Sequence, residues 1–233
     1  DHAAATPVDR QVLAAMQPYF STAFFNPSAT YLAAKAVRHD LEAARARIAA
    51  ALGVRSREII FTAGATEANN LAIQGVMNRL PAAKVLVSAI EHDSVLKAAQ
   101  KYACELLRVD ENGLIVPGSL EDRIDDKTAL VSAVYANNEI GTVQHLAEIS
   151  KIVARVRMDR QKRGIATPLY LHTDAAQALN YLPVLPHKLG VDLVSLNGGK
   201  IYGPKQSGLL FVATGVELDP LIRGGGQEWG LRS

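Results

Sequence analysis

Apolar positions along this chain change their period again and again. Segment 29–52 is alanine-rich with apolar residues three and four apart, and Gly53 follows it directly. That spacing predicts a helix closed by a glycine stop. Short β-rich runs then alternate with helical ones. "EIIFTA" (58–63) predicts a strand, and "TEANNLAIQGVMNRL" behind it a helix ending near Pro81. "KVLVSAI" (84–90) predicts a strand, "SVLKAAQKYA" from Ser94 a helix, "CELLRVD" a strand and "ALVSAVYA" (129–136) a buried strand. A helix is expected from about His145 to Arg163, and "PLYLHTD", "VDLVSL" and "GLLFVA" complete a set of about seven strands. Strands separated by helices form βαβ units, so the expected fold class is α/β, a mainly parallel sheet with helices on both faces.

Ligands of such sheets bind beyond the C-terminal ends of the strands. The residues expected there are Gly64-Ala65-Thr66, Glu91-His92, Asn137-Asn138, Asp174 with Gln177, and Asn197 to Lys200. These polar groups come from segments far apart in the chain and are expected to converge on one edge.

Composition narrows the partners. With 25 basic and 23 acidic residues the formal charge is +2, too small to call for nucleic acid or an anionic membrane. The basic run "RVRMDRQKR" (155–163) is expected on the solvated face and C-terminal end of a helix. No apolar run reaches the ~18 residues of a membrane span. A single cysteine, Cys104, rules out an internal disulfide and makes the cytoplasm the expected compartment. The chain starts without methionine and stops just after a glycine-rich segment, as expected of a piece of something longer.

The edge residues suit a particular chemistry. "TAGATEANN" puts a small-residue turn before a helix, where free backbone amides and the Thr66 hydroxyl can hold an anion; a plain Thr-capped turn explains it as well. It matches neither the P-loop nor the dinucleotide fingerprint. Asp174 ends an apolar strand and can pair with a protonated ring nitrogen, or cap a helix. His92 can stack on a planar ligand or sit beside a cap, and "ANNEIG" puts two amides after a buried strand. Lys200 closes a buried run behind Gly198 and Gly199 and is expected to be desolvated, which would leave a neutral amine able to attack a carbonyl. A phosphate cradle, a ring-nitrogen carboxylate, a stacking histidine and such a lysine together are what pyridoxal 5'-phosphate requires.

The segments "DHAAATPVD", "FFNPSATY", "FTAGATEANNLAIQG", "EHDSVL", "YANNEIGTVQ", "HTDAAQA", "GGKIYGPKQSG" and "GGGQEWGLRS" resemble, in the same order, the cysteine desulfurases of the NifS/IscS type. These belong to the class V aminotransferase group of fold-type I pyridoxal phosphate enzymes. The resemblance implies a cofactor joined as a Schiff base to Lys200, with His92 stacked on its ring and Asp174 facing the pyridine nitrogen. Gln177 would bond the phenolic oxygen, Ala65 and Thr66 the phosphate, and Asn138 would lie near cofactor and substrate carboxylate. Asn197 would add an amide near the phosphate; no metal is implied. L-cysteine would become alanine, its sulfur passing as a persulfide to a mobile catalytic cysteine. That cysteine, with most of the C-terminal small domain, is expected beyond Ser233; Cys104 is expected to be a buried structural thiol instead.

Residues 1–15 are expected to belong to the small domain and residues 16–233 to be the large, cofactor-binding one. The resemblance further implies a homodimer and a sulfur-acceptor protein serving iron-sulfur cluster assembly or tRNA thiolation. A selenocysteine lyase, another class V aminotransferase, or a scaffold that has lost its chemistry are the competing readings. Four positions depart from the family pattern. Asn197 and Gly199 replace the serine and histidine of Ser-Gly-His-Lys, Trp229 replaces an arginine, and Ala5 replaces a threonine.

Overall fold

The computed structural model describes residues 1–233. In chain order, helices α1 (Arg10–Ser21) and α2 (Leu32–Leu52) precede strand β1 (Ile59–Thr62), then α3 (Ala65–Arg79), β2 (Lys84–Ser88), α4 (Asp93–Ala99) and β3 (Ala103–Leu107). There follow α5 (Pro117–Arg123), β4 (Thr128–Ser132), α6 (Leu146–Arg163), β5 (Tyr170–Asp174), α7 (Pro186–Leu189), β6 (Leu193–Asn197) and β7 (Gly208–Val212). All seven strands form one sheet in the order β1-β7-β6-β5-β4-β2-β3. Every pair is parallel except the two that β7 makes, with β1 and with β6. The α/β, mainly parallel reading holds, with β7 as the reversed strand.

Alternation along each strand divides the core in two. Val131, Val194 and Phe211 pack on one face with Ala49 and Leu52 of α2 and Leu146, Ile149 and Val153 of α6. Leu130, Leu193 and Leu210 pack on the other with Leu71, Ala72 and Val76 of α3 and Val95 of α4. Successive side chains of a strand point to opposite faces, so each strand feeds both layers.

Several expectations are corrected. α2 begins at Leu32 rather than at 29, because Tyr31 is extended (φ −76°, ψ 161°) after a turn in which Ala29 N bonds Asn26 O. α1 was not expected at all; Pro18 interrupts its pattern and none of its residues is buried. The basic run is not all solvated. Arg160 is only 3% exposed, and its guanidinium donates to Thr167 O, Pro168 O, Asp125 O and Thr128 O, tying α6 to the strand beneath. Arg157 pairs with Asp192. Cys104 is half-buried rather than buried, because β3 is the edge strand; burial and the neighbouring Glu105 push its thiol up.

Because β1 and β6 both run opposite to β7, the C-terminal ends of β1, β2, β4, β5 and β6 share one edge. The turn into α3 approaches β7 closely there. Gly64 has φ +134°, and a Cβ on Gly208 would lie 2.5 Å from Gly64 Cα. Only glycines fit both positions.

Candidate active site

One cavity of about 380 Å³ opens at this edge, within the size range of small-molecule sites. All eight predicted site residues line it: Ala65, Thr66, His92, Asn138, Asp174, Gln177, Asn197 and Lys200. Asp1, Ala3, Ala4 and Ser94, none of them in the predicted set, line it too.

The anion corner is the start of α3. Gly64 occupies the cap position without a side-chain cap, and Thr66 lies inside the first turn, so its hydroxyl is not consumed as a cap. Amides of a helix's first turn have no intrahelical partner and aim their partial positive charge outward. Glu67, in the same turn, is engaged with Arg232 and Ala63 N.

Asp174 forms the floor. It is 5% exposed, its Oδ1 accepts from Ala176 N at 2.9 Å, and its Oδ2 accepts from Asn69 Nδ2 at 2.7 Å. No helix follows it, which removes the capping explanation. Burial pushes its carboxyl above the ordinary range, opposed by those two bonds and by His92 and Lys200. His92 does cap α4, its Nδ1 accepting from Ser94 N at 3.1 Å, and it lines the cavity at the same time.

Lys200 ends a single turn of 3₁₀ helix after β6. Its Nζ donates to Ala3 O and Ala4 O, both at 2.7 Å, and Gln177 Nε2 also donates to Ala3 O at 2.8 Å. The lysine is therefore half-buried and hydrogen-bonded, not desolvated as expected. Backbone bonds from Thr6 to Gly199 O and from Asp9 to Tyr202 O lay the N-terminal segment against this loop. Asn197 Oδ1 accepts from Gly199 N at 3.0 Å, which leaves its amide nitrogen for a ligand.

The two glycines before the lysine differ. A Cβ on Gly198 would lie 2.1 Å from Ser207 Oγ, whereas one on Gly199 would meet only ordinary contacts, Asn197 Oδ1 at 3.4 Å and Lys205 Cδ at 3.7 Å. Gly199→His is thus expected to fold like the parent and to retain cofactor more tightly through its added imidazole; Gly198→Ala is expected to lose about 1–3 kcal/mol of stability through overpacking. Denaturant melts and cofactor wash-out rates check both.

Two buried groups escaped the sequence reading. Asn69, on α3, is fully buried against Asp174. Glu91 appeared only as an edge residue; it is 6% exposed, and its Oε1 accepts from Val134 N at 2.5 Å while Oε2 has no partner. Burial, then the nearby Asp174 carboxylate, push Glu91 well above the usual carboxylate range. Polar residues inside a helix or turn look solvated in sequence, and only packing shows otherwise. Trp229 lies away from this cavity, over Arg45 at 5.5 Å. No group of three or more His, Cys, Asp or Glu is placed to hold a metal ion.

Comparison with known proteins identifies the family and the fold. The profile of the family described as "Aminotransferase class-V" matches residues 1–231. Cysteine desulfurase IscS of Methanosarcina thermophila is 40% identical over 235 residues, 98% of this chain and 55% of that protein. Cysteine desulfurase IscS 1 of Archaeoglobus fulgidus is 41% identical, over 100% of this chain and 60% of that protein. Among solved structures, a "NIFS-LIKE PROTEIN" superposes with TM-score 0.91 at 33% identity, covering 100% of this chain and 63% of that one. "SspA in complex with cysteine" superposes with TM-score 0.90 at 38% identity, covering 100% and 66%. The chain thus spans between half and two thirds of the length of these relatives. Its seven-stranded sheet has the fold of the pyridoxal phosphate-dependent transferases, and the chain belongs to the class-V aminotransferase family.

Proposed function

We propose that this chain is the cofactor-binding part of a pyridoxal 5'-phosphate-dependent cysteine desulfurase. One observation carries the reading: a lysine, a buried carboxylate, an imidazole and an uncapped helix start line the same cavity. This donor set fits the cofactor, a planar cationic ring with a phosphate tail and a carbonyl able to condense with an amine. Bound there, the cofactor supplies an electron sink for chemistry at the α-carbon of an amino acid.

The residues then divide the work. Asp174 would hold the proton on the ring nitrogen, and Asn69 holds Asp174. His92, which lines the cavity, would pack against the ring. Ala65 N, Thr66 and the free amide of Asn197 would hold the phosphate, Gln177 the phenolic oxygen, and Asn138 the substrate carboxylate. Lys200 would hold the cofactor covalently and its amine would serve as the base for the proton at the substrate's α-carbon. On binding, Lys200 would exchange its bonds to Ala3 O and Ala4 O, and Gln177 its bond to Ala3 O.

L-cysteine is the proposed substrate, supported by the names of the IscS relatives and by a structural neighbour described in complex with cysteine. The products would be alanine and a persulfide for an acceptor protein in iron-sulfur cluster assembly or tRNA thiolation, and the assembly a homodimer in the cytoplasm. No helix is long and apolar enough to cross a membrane. Residues 16–233 would be the large domain and residues 1–15 part of the small one, a division that falls within α1.

The test incubates the protein, extended to the full length of its relatives, with pyridoxal 5'-phosphate and L-cysteine. Equal amounts of alanine and, with a thiol reductant present, sulfide are expected. Keto-acid formation without sulfide would transfer the protein to the transaminating members of its family.

A further inference from the structure

A continuous hydrogen-bonded path runs beneath the cavity. Asn69 Nδ2 lies 2.7 Å from Asp174 Oδ2 and 2.8 Å from Ser94 Oγ, and Ser94 Oγ lies 2.8 Å from His92 Nδ1. Asn69 is fully buried. Its Oδ1 has no partner. That is the cost of turning the nitrogen to a carboxylate; the flipped amide would set oxygen against oxygen.

The direction of every proton follows. An amide nitrogen has two hydrogens and accepts nothing, so Asn69 donates one to Asp174 and one to Ser94 Oγ. The Ser94 hydroxyl can accept there and still give its own hydrogen to His92 Nδ1, 2.8 Å away; the backbone decides that it does. Ser94 N–H, which can only donate, points at the same nitrogen from 3.1 Å. Two donors converge on Nδ1, and a proton there would face both.

We infer that Asn69 and Ser94 are positioning residues that lock His92 into the tautomer carrying its proton on Nε2, and join that ring to the Asp174 carboxylate. The tautomer follows from this chain alone; its use rests on the cofactor reading. With Nδ1 taken up as the acceptor of two hydrogen bonds, Nε2–H is the ring's remaining polar edge in the cavity. A neighbour that fixes one ring nitrogen decides what the other can do.

The experiment is ¹⁵N NMR of histidine-labelled protein, with and without pyridoxal 5'-phosphate, the His92 signals being assigned by loss in His92→Gln. The expected spectrum has an unprotonated Nδ1 and a protonated Nε2. Ser94→Ala removes one neutral hydrogen bond from this preference and raises the Nδ1–H population about fivefold. Ser94→Thr, keeping the hydroxyl, restores the parent spectrum, and Asn69→Leu moves the tautomer in the same direction as Ser94→Ala. A His92 protonated on Nδ1 in the parent overturns the inference, as does an unchanged tautomer in Ser94→Ala. Because the spectrum is read without cofactor as well, failure to bind pyridoxal 5'-phosphate would sink the proposed function and leave this assignment standing.

Discussion

Lys200→Ala is expected to abolish covalent cofactor attachment while leaving the fold intact. Lys200 is the only lysine lining the cavity. What the fold loses is two hydrogen bonds, from Nζ to Ala3 O and Ala4 O. These join a partly exposed amine to the N-terminal segment, so the cost in stability is about 1–2 kcal/mol. The effect on chemistry is far larger. Borohydride reduction of the parent loaded with pyridoxal 5'-phosphate should fix the label on the peptide holding Lys200, found by mass spectrometry. The variant should carry no label, show a visible spectrum of loosely held cofactor, and release it on gel filtration. Turnover of an amino-acid substrate should fall about a thousandfold or more, the range seen when a proton-transferring group is removed from a reaction centre. A label elsewhere in the parent, or a variant as active as the parent, would take the lysine out of the chemistry.

Acid is expected to unfold the protein through His172. The ring is fully buried on β5, bridging the neighbouring strands: its Nδ1 lies 2.8 Å from Ser132 Oγ of β4 and its Nε2 3.0 Å from Ser195 Oγ of β6. Burial pushes its pKa from the ordinary 6.5 down to about 3. Between those values the unfolded chain binds a proton that the folded one refuses, so stability rises with pH across the window and is lost as pH falls. The loss reaches about 3 kcal/mol by pH 4. Glu91 and Asp174, raised above their ordinary values, act in the opposite sense. The decisive measurement is therefore a difference: urea unfolding of the parent and of His172→Leu at pH 7 and pH 4. The variant should be the less stable of the two at pH 7, and the gap should narrow by about that amount at pH 4. A gap independent of pH would mean that the imidazole accepts its proton within the fold.

The position of the site was legible because strands announce their own ends. "HTDAAQA" and "VDLVSLNGGK" each pass from an apolar run to polar and small residues within two or three positions, and parallel strands bring such ends to one edge. Asp174 and Lys200 therefore came together in the structure as the sequence implied, with Thr66, His92 and Asn138 beside them. Asn69 was not legible. It stands in "TEANNLAIQG", where helical spacing makes neighbouring asparagines look alike. One of them turns into the core and bonds Asp174, while the other, Asn70, bonds back to Thr66 O on its own helix.

By itself the sequence determined the seven strands, the helices α2, α3, α4 and α6, the α/β class, the family and the identity of the groups at the sheet edge, because periodicity, glycine stops and motif spacing are local properties. Tertiary structure alone decided the strand order, the reversal of β7, the laying of Ala3 and Ala4 over the lysine, and the burial of Arg160, Asn69, Glu91 and His172. The physical reason is one of range. A side chain's rotamer and strand tendency are set by its neighbours in the chain. Whether its polar atoms meet water or another buried polar atom is set by residues such as Asn69 and Asp174, 105 positions apart.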